Sequence, residues 1–274
     1  MTKLNFYRTA LAATVSVMAF GLAPANAADP DSCTKVRFSD VGWTDITATT
    51  ATAAVVLKAI GYEPEITVLS VPVTYQSLKN KDIDVFLGNW MPTMEADLAP
   101  YREDKSVEIF GPNLEGAKYT LATNAKGAEL GIKDFADIAK NKDALEGKIY
   151  GIEPGNDGNR LILDMIDGNK FELGDFEVVE SSEQGMLAQV ARAEKDGQPV
   201  VFLGWEPHPM NANFKLTYLS GGDEVFGPLR RRHHFHQHPR RLHHRMPECR
   251  QVRHQPQVLA PDGKRDHGQD PQRW

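Results

Sequence analysis

From residue 36 onward, apolar and polar positions alternate in short blocks. β-rich apolar runs at 36–41, 65–71, 83–87, 107–110, 119–123, 148–152, 176–179, 200–203 and 216–219 predict strands. Between them, stretches 46–60, 75–80, 91–101, 135–140, 160–166 and 184–195 read as helices. In the last of these, Met186, Leu187, Val190 and Ala191 share one face. Repeated strand–helix–strand alternation predicts an α/β chain whose mainly parallel sheets are flanked by helices. Two such sheets, split near 113–119 and rejoined near 216, make a two-lobed clamp. The expected lobes are 28–115 and 116–215, with 216–228 returning to the first lobe.

The two ends of the chain follow other patterns. Lys3 and Arg8 precede an apolar run at 10–22, and Pro24-Ala25-Asn26-Ala27 supplies small residues for cleavage. This is the layout of a signal peptide spanning 1–27, and the run is short of the ~18–20 residues a membrane span needs. The 229–274 stretch carries 11 Lys+Arg, 4 Asp+Glu and eight of the nine histidines, with no sustained apolar period. It is expected to be a disordered basic tail.

Composition then changes the picture. The 274 residues are 41% hydrophobic and 25% charged, which is ordinary for a globular protein. The formal net charge of −6 averages unlike parts, since residues 28–228 alone carry −15. So acidic a body suits a cationic ligand and argues against nucleic acid, whose affinity rests on Lys and Arg at phosphates. Enzyme signatures are missing from the sequence: no Walker loop, G-x-G-x-x-G, H-E-x-x-H or G-x-S-x-G occurs, and His208 is the one histidine of the body. No catalytic residue, cofactor or metal ligand is expected there. Cys33 and Cys249 have no C-x-x-C spacing, and two cysteines alone do not establish a bridge.

The candidate chemistry lies in three tryptophans. Trp43, Trp90 and Trp205 each follow a predicted strand, with Gly42, Gly88 and Gly204 just before them. Ligands of open α/β sheets bind outside the carboxyl ends of the strands. A quaternary ammonium ion has no N–H to donate, so the faces of aromatic rings are its natural partners. Sugar stacking on the same rings is the competing reading. Asp45 is either a helix cap or an acceptor for a ligand hydroxyl, Tyr119 is hinge packing or a fourth wall, and Asn156 is turn chemistry or a polar contact.

Five segments carry a resemblance: Val41-Gly42-Trp43-Thr44-Asp45, Tyr75-Gln76-Ser77-Leu78, the run 82–90 (DIDVFLGNW), 151–156, and 202–207 (FLGWEP). Together they resemble the glycine betaine/choline class of periplasmic substrate-binding proteins of ABC importers, with the choline binders nearest. The resemblance implies a type II-like two-lobed binding fold, export to the periplasm, a monomer, and an inner-membrane permease as partner. It implies an aromatic box of Trp43, Trp90, Tyr119 and Trp205, with Asp45 and Asn156 as polar contacts and choline as ligand. Asp45, with no Arg beside the box, disfavours the carboxylate of glycine betaine or proline betaine. The tail departs from the class, which continues with ordinary globular sequence. The C-terminal part of lobe 1 is therefore expected to be missing or replaced, as a shifted reading frame after residue 228 would produce. A metal carrier built on His233–His238 is the alternative function.

Overall fold

The computed structural model describes residues 31–227 and 232–239. The expected signal peptide and most of the basic tail lie outside the described residues. Within them, no helix is long and apolar enough to cross a membrane.

The first part of the chain runs α1 (Asp31–Thr34), β1 (Lys35–Asp40), α2 (Thr44–Ala59), β2 (Glu63–Val68), α3 (Val71–Asn80), β3 (Val85–Met91) and α4 (Glu95–Glu103). A long strand, β4 (Val107–Thr123), leads to α5 (Ala125–Glu129), β5 (Lys148–Tyr150), α6 (Asp157–Asp167), β6 (Glu177–Val179) and α7 (Glu183–Asp196). Then come β7 (Val201–Glu206), α8 (Met210–Asn213), β8 (Thr217–Tyr218), α9 (Asp223–Phe226) and β9 (Arg232–Pro239). The segment at 135–140, expected as one helix, is two 3-10 turns, Phe135–Asp137 and Ala139–Asn141.

The strand order is β2-β1-β3-β9-β4-β7-β5-β6, with β8 on β4. Lobe 1 holds the parallel set β2-β1-β3, and lobe 2 the parallel set β7-β5-β6. The sheets are mixed, because β9 and β4 join antiparallel between these sets. The first half of β4 pairs with β9 in lobe 1 and the second half with β7 in lobe 2, where Tyr119 lies opposite Trp205. Gly111, Pro112 and Gly116 read as a break in the sequence, yet the strand passes through them with register shifts against β9. The join between lobes thus lies inside one strand and not in a loop.

Two further expectations are corrected. The segment 216–228, expected to return to lobe 1, begins in lobe 2, where Thr217–Tyr218 pairs with Ala122 and Thr123. Part of the expected disordered tail is β9, seated between β3 and β4. The physical reason is that β3 and the first half of β4 present facing rows of backbone N–H and C=O groups. A strand satisfies both rows whatever its side chains, so backbone pairing overrides composition.

One continuous apolar core runs through both lobes, with Tyr75, Leu78, Phe86 and Leu98 on the lobe 1 side and Phe135, Ile162, Met186, Val190 and Phe202 on the lobe 2 side. Helix α7 is bounded by Ser182, whose hydroxyl accepts from Gly185 N–H, and by Gly197 at φ 65°. Cys33 is buried and disulfide-bonded; the chain's other cysteine, Cys249, lies outside the described residues.

Candidate functional site

The loop between β1 and α2 builds the lobe 1 side of the seam. Gly42 sits at φ +82°, which a residue with a Cβ adopts at a cost, and it turns the chain so that Trp43 caps α2. Four consecutive residues then bond to lobe 2. Gly42 C=O accepts from Gln184 Nε2 at 3.2 Å, and Trp43 Nε1 donates to Glu153 at 2.9 Å. Thr44 N–H donates to Glu183 at 2.7 Å, and Asp45 accepts from Trp205 Nε1 at 3.1 Å. A second tie lies further along, where Arg160 grips both oxygens of Asp97 at 2.7 and 2.9 Å.

Trp90 and Trp205 sit inside β3 and β7, not beyond them, each one residue before the strand ends. The glycines near them serve packing. A Cβ at Gly88 would stand 2.9 Å from the Phe86 ring, and one at Gly204 would stand 3.0 Å from Ala122. Tyr119 joins the group from β4. Its ring centre is 5.6 Å from Trp90 and 6.2 Å from Trp205. Its hydroxyl donates to Asn156 Oδ1 at 3.1 Å. Gly158 lets it approach, since a Cβ there would lie 2.0 Å from that hydroxyl.

A small cavity at the seam is lined by Trp43, Trp90, Tyr119, Ile152, Asn156, Asp157 and Trp205. The structure thus gathers five of the six sequence-expected residues around one space. Asp45 does not line it; this residue stands behind Trp205 and holds the indole N–H. Asn156 has both roles weighed for it: its Oδ1 caps α6 by accepting from Gly158 and Asn159 N–H, and the side chain walls the cavity.

Three carboxylates near this space are held above their ordinary range. Burial pushes Asp45 and Asp157 up to about 6 and Glu153 up to about 7. Burial also raises Glu183, but contacts with His208 and Thr44 outweigh it and leave that carboxylate below the usual range. No Lys or Arg lines the cavity, and the nearby Arg160 is engaged by Asp97. A fixed cation in the space would therefore favour the charged carboxylates. A wider recess in lobe 2, walled by Lys142, Asp143, Glu146 and Asp175, has one largely buried ring, Phe176, on its border and no aromatic enclosure.

Sequence reasoning missed Asp157, Glu153 and Glu183. In so acidic a chain a carboxylate is a weak signal by itself. The neighbouring turn at 151–156 had marked the place for the first two, whereas Glu183 is only a first-turn residue of a helix.

Three solved structures share this fold. A solved "ABC-transporter choline binding protein in complex with choline" is 74% identical, with TM-score 0.77 over 79% of this chain and 76% of that one. The same kind of protein in an unliganded semi-closed conformation, also 74% identical over the same shares, gives 0.73. Lactococcal OpuAC in its closed conformation with glycine betaine is 25% identical, with TM-score 0.70 over 80% of this chain and 82% of that one. Residues 34–237 match the OpuAC family model, the substrate binding domain of ABC-type glycine betaine transport systems. With its two lobes and a ring-lined seam between them, the chain belongs to the OpuAC family of transport substrate-binding domains.

Proposed function

We propose that this protein captures choline between its lobes in the periplasm, after export on residues 1–27, and delivers it as a monomer to an inner-membrane ABC permease. The carrying observation is a cavity walled by Trp43, Trp90, Tyr119 and Trp205, with buried carboxylates beside it and no basic side chain on its wall. Each ring face attracts a desolvated quaternary ammonium ion by up to about 2 kcal/mol. Asp157 and Asp45 supply the counter-charge. Among the described residues nothing donates to the buried Oδ2 of Asp157, which lines the cavity and is suited to accept from a ligand hydroxyl. Ligand bridging both lobes favours the closed arrangement, which the permease reads. No chemical step is involved.

Glycine betaine is the second reading, supported by the family description and the lactococcal relative. Its carboxylate would meet Asp157 without a cation to offset it, so choline is the better fit. The metal-carrier reading rests on His233–His238, whose side chains lie outside the described residues, and the family match lends it no support.

Tryptophan fluorescence of the purified protein, titrated separately with choline, glycine betaine and zinc, tests the proposal. A saturable response to choline at the lowest concentration is the expected result. A tighter response to glycine betaine, or a response to zinc alone, rejects it.

A further inference from the structure

Glu183 and His208 form a buried pair that ligand capture leaves unused. Their side chains are 1% and 2% exposed, and Glu183 Oε1 stands 3.0 Å from His208 Nε2. His208 Nδ1 accepts from Met210 N–H at 2.9 Å, which fixes the ring with Nε2 toward Glu183. The imidazole also lies against Trp205, ring centres 4.8 Å apart at 66°. On the other side the same carboxylate crosses the seam. It accepts from Thr44 N–H at 2.7 Å and from the Thr44 hydroxyl. Thr44 follows Trp43 at the start of α2, so one carboxylate touches the backbone beside one cage wall and the ring that braces another.

A carboxylate this buried is stable only with donors around it. Two of its donors belong to the opposite lobe and reach it only when the lobes meet. Separation would strip them away and wet the pair. Neither residue lines the cavity, so neither acts on the ligand directly.

We propose that Glu183 and His208 are positioning residues of the cation cage, locking the Trp43 wall of lobe 1 to the Trp205 wall of lobe 2 so that closure and cage assembly are one event. This rests on the choline reading of the site. Ligand escape then requires the lock to open, and its loss acts mainly on dissociation.

The test is stopped-flow tryptophan fluorescence with choline on E183Q, H208N, T44V and the double variant T44V/E183Q. Asn at 208 keeps an acceptor for Met210 N–H while losing the Glu183 contact. Each single variant is expected to weaken choline by about tenfold, the scale of one hydrogen bond to a buried charge, through faster release at nearly unchanged association. The double variant should fall well short of the product of its singles, because both remove the same contact. Parent-like release in folded E183Q and T44V, or full additivity in the double variant, overturns the proposal. Should H208N fail to fold, T44V and E183Q still decide it. W90A separates the two readings: full choline affinity in W90A removes the cage itself, whereas its loss alongside parent-like E183Q, H208N and T44V removes the lock alone.

Discussion

The two lobes share an alternation of strands and helices but cover their sheets differently. In lobe 2, α6 buries Ile162 and Met165, α7 buries Met186, Val190 and Ala193, and β7 is buried over five of its six residues. In lobe 1, the 16-residue α2 buries only Ile46 and Thr50, and β2 buries none. Val55, Val56, Ile60, Ile66 and Val68 stand in solvent on that flank. The difference teaches that the cage does not draw on a uniform scaffold. Lobe 2 is packed on both of its longer helices, while lobe 1 is packed at α3 and β3 but left open at its α2–β2 flank, and it joins the rest through β9 and the seam.

The largest expected effect that sharpens this contrast comes from ending the chain after Gly227. Amide hydrogen exchange should then lose protection in β3 and the first half of β4, while β5, β6 and β7 keep theirs. Equal loss in both lobes would break the comparison. Next, Phe202→Ala in the lobe 2 core should cost about 3–5 kcal/mol in denaturant unfolding, the range for emptying a buried aromatic site. Trp90→Ala should follow, weakening choline by about 2 kcal/mol in calorimetric titration.

The seam adds a pH prediction. Asp45, Asp157 and Glu153 sit above their ordinary range in the closed arrangement, so closure without a cation binds protons. Ligand-free closure is then favoured at acid pH and lost as pH rises from about 4, the usual carboxylate value, through the folded values of about 6 and 7. Glu183, held below its usual value, works in the opposite direction. Small-angle scattering should show the ligand-free protein more compact at pH 5 than at pH 8, and compact at both with choline. Smallest of all, Val55→Ser on the open flank of α2 should change stability by less than about 0.5 kcal/mol, read from the thermal midpoint. A shift as large as that of Phe202→Ala would show that flank to be covered in solution.

What could be read from the sequence divides along physical lines. The strand-end position of Trp43, Trp90 and Trp205 was legible because each follows a β-rich run and a glycine. Tyr119 and Asn156 came with the resemblance and with turn chemistry. The long β4 was not legible, because Gly111, Pro112 and Gly116 signal breaks while backbone pairing with β9 carries the strand through them. Strand β9 itself was hidden, since its side chains carry no strand period. His208 looked like an ordinary loop residue, and only the fold shows it pressed between Trp205 and Glu183.

Strand β4 carries one last consequence. Its first half meets β9 with three register irregularities, places where an added or lost residue finds slack. Its second half pairs with β7 without a slip from Lys118 to Thr123. A strand has two faces, so one residue inserted between Tyr119 and Thr123 would turn the tyrosine ring to the opposite side of the sheet. There the ligand space is encoded by a count of residues as much as by their identity. Natural variation in this family should accordingly preserve the length of that stretch even where its side chains change.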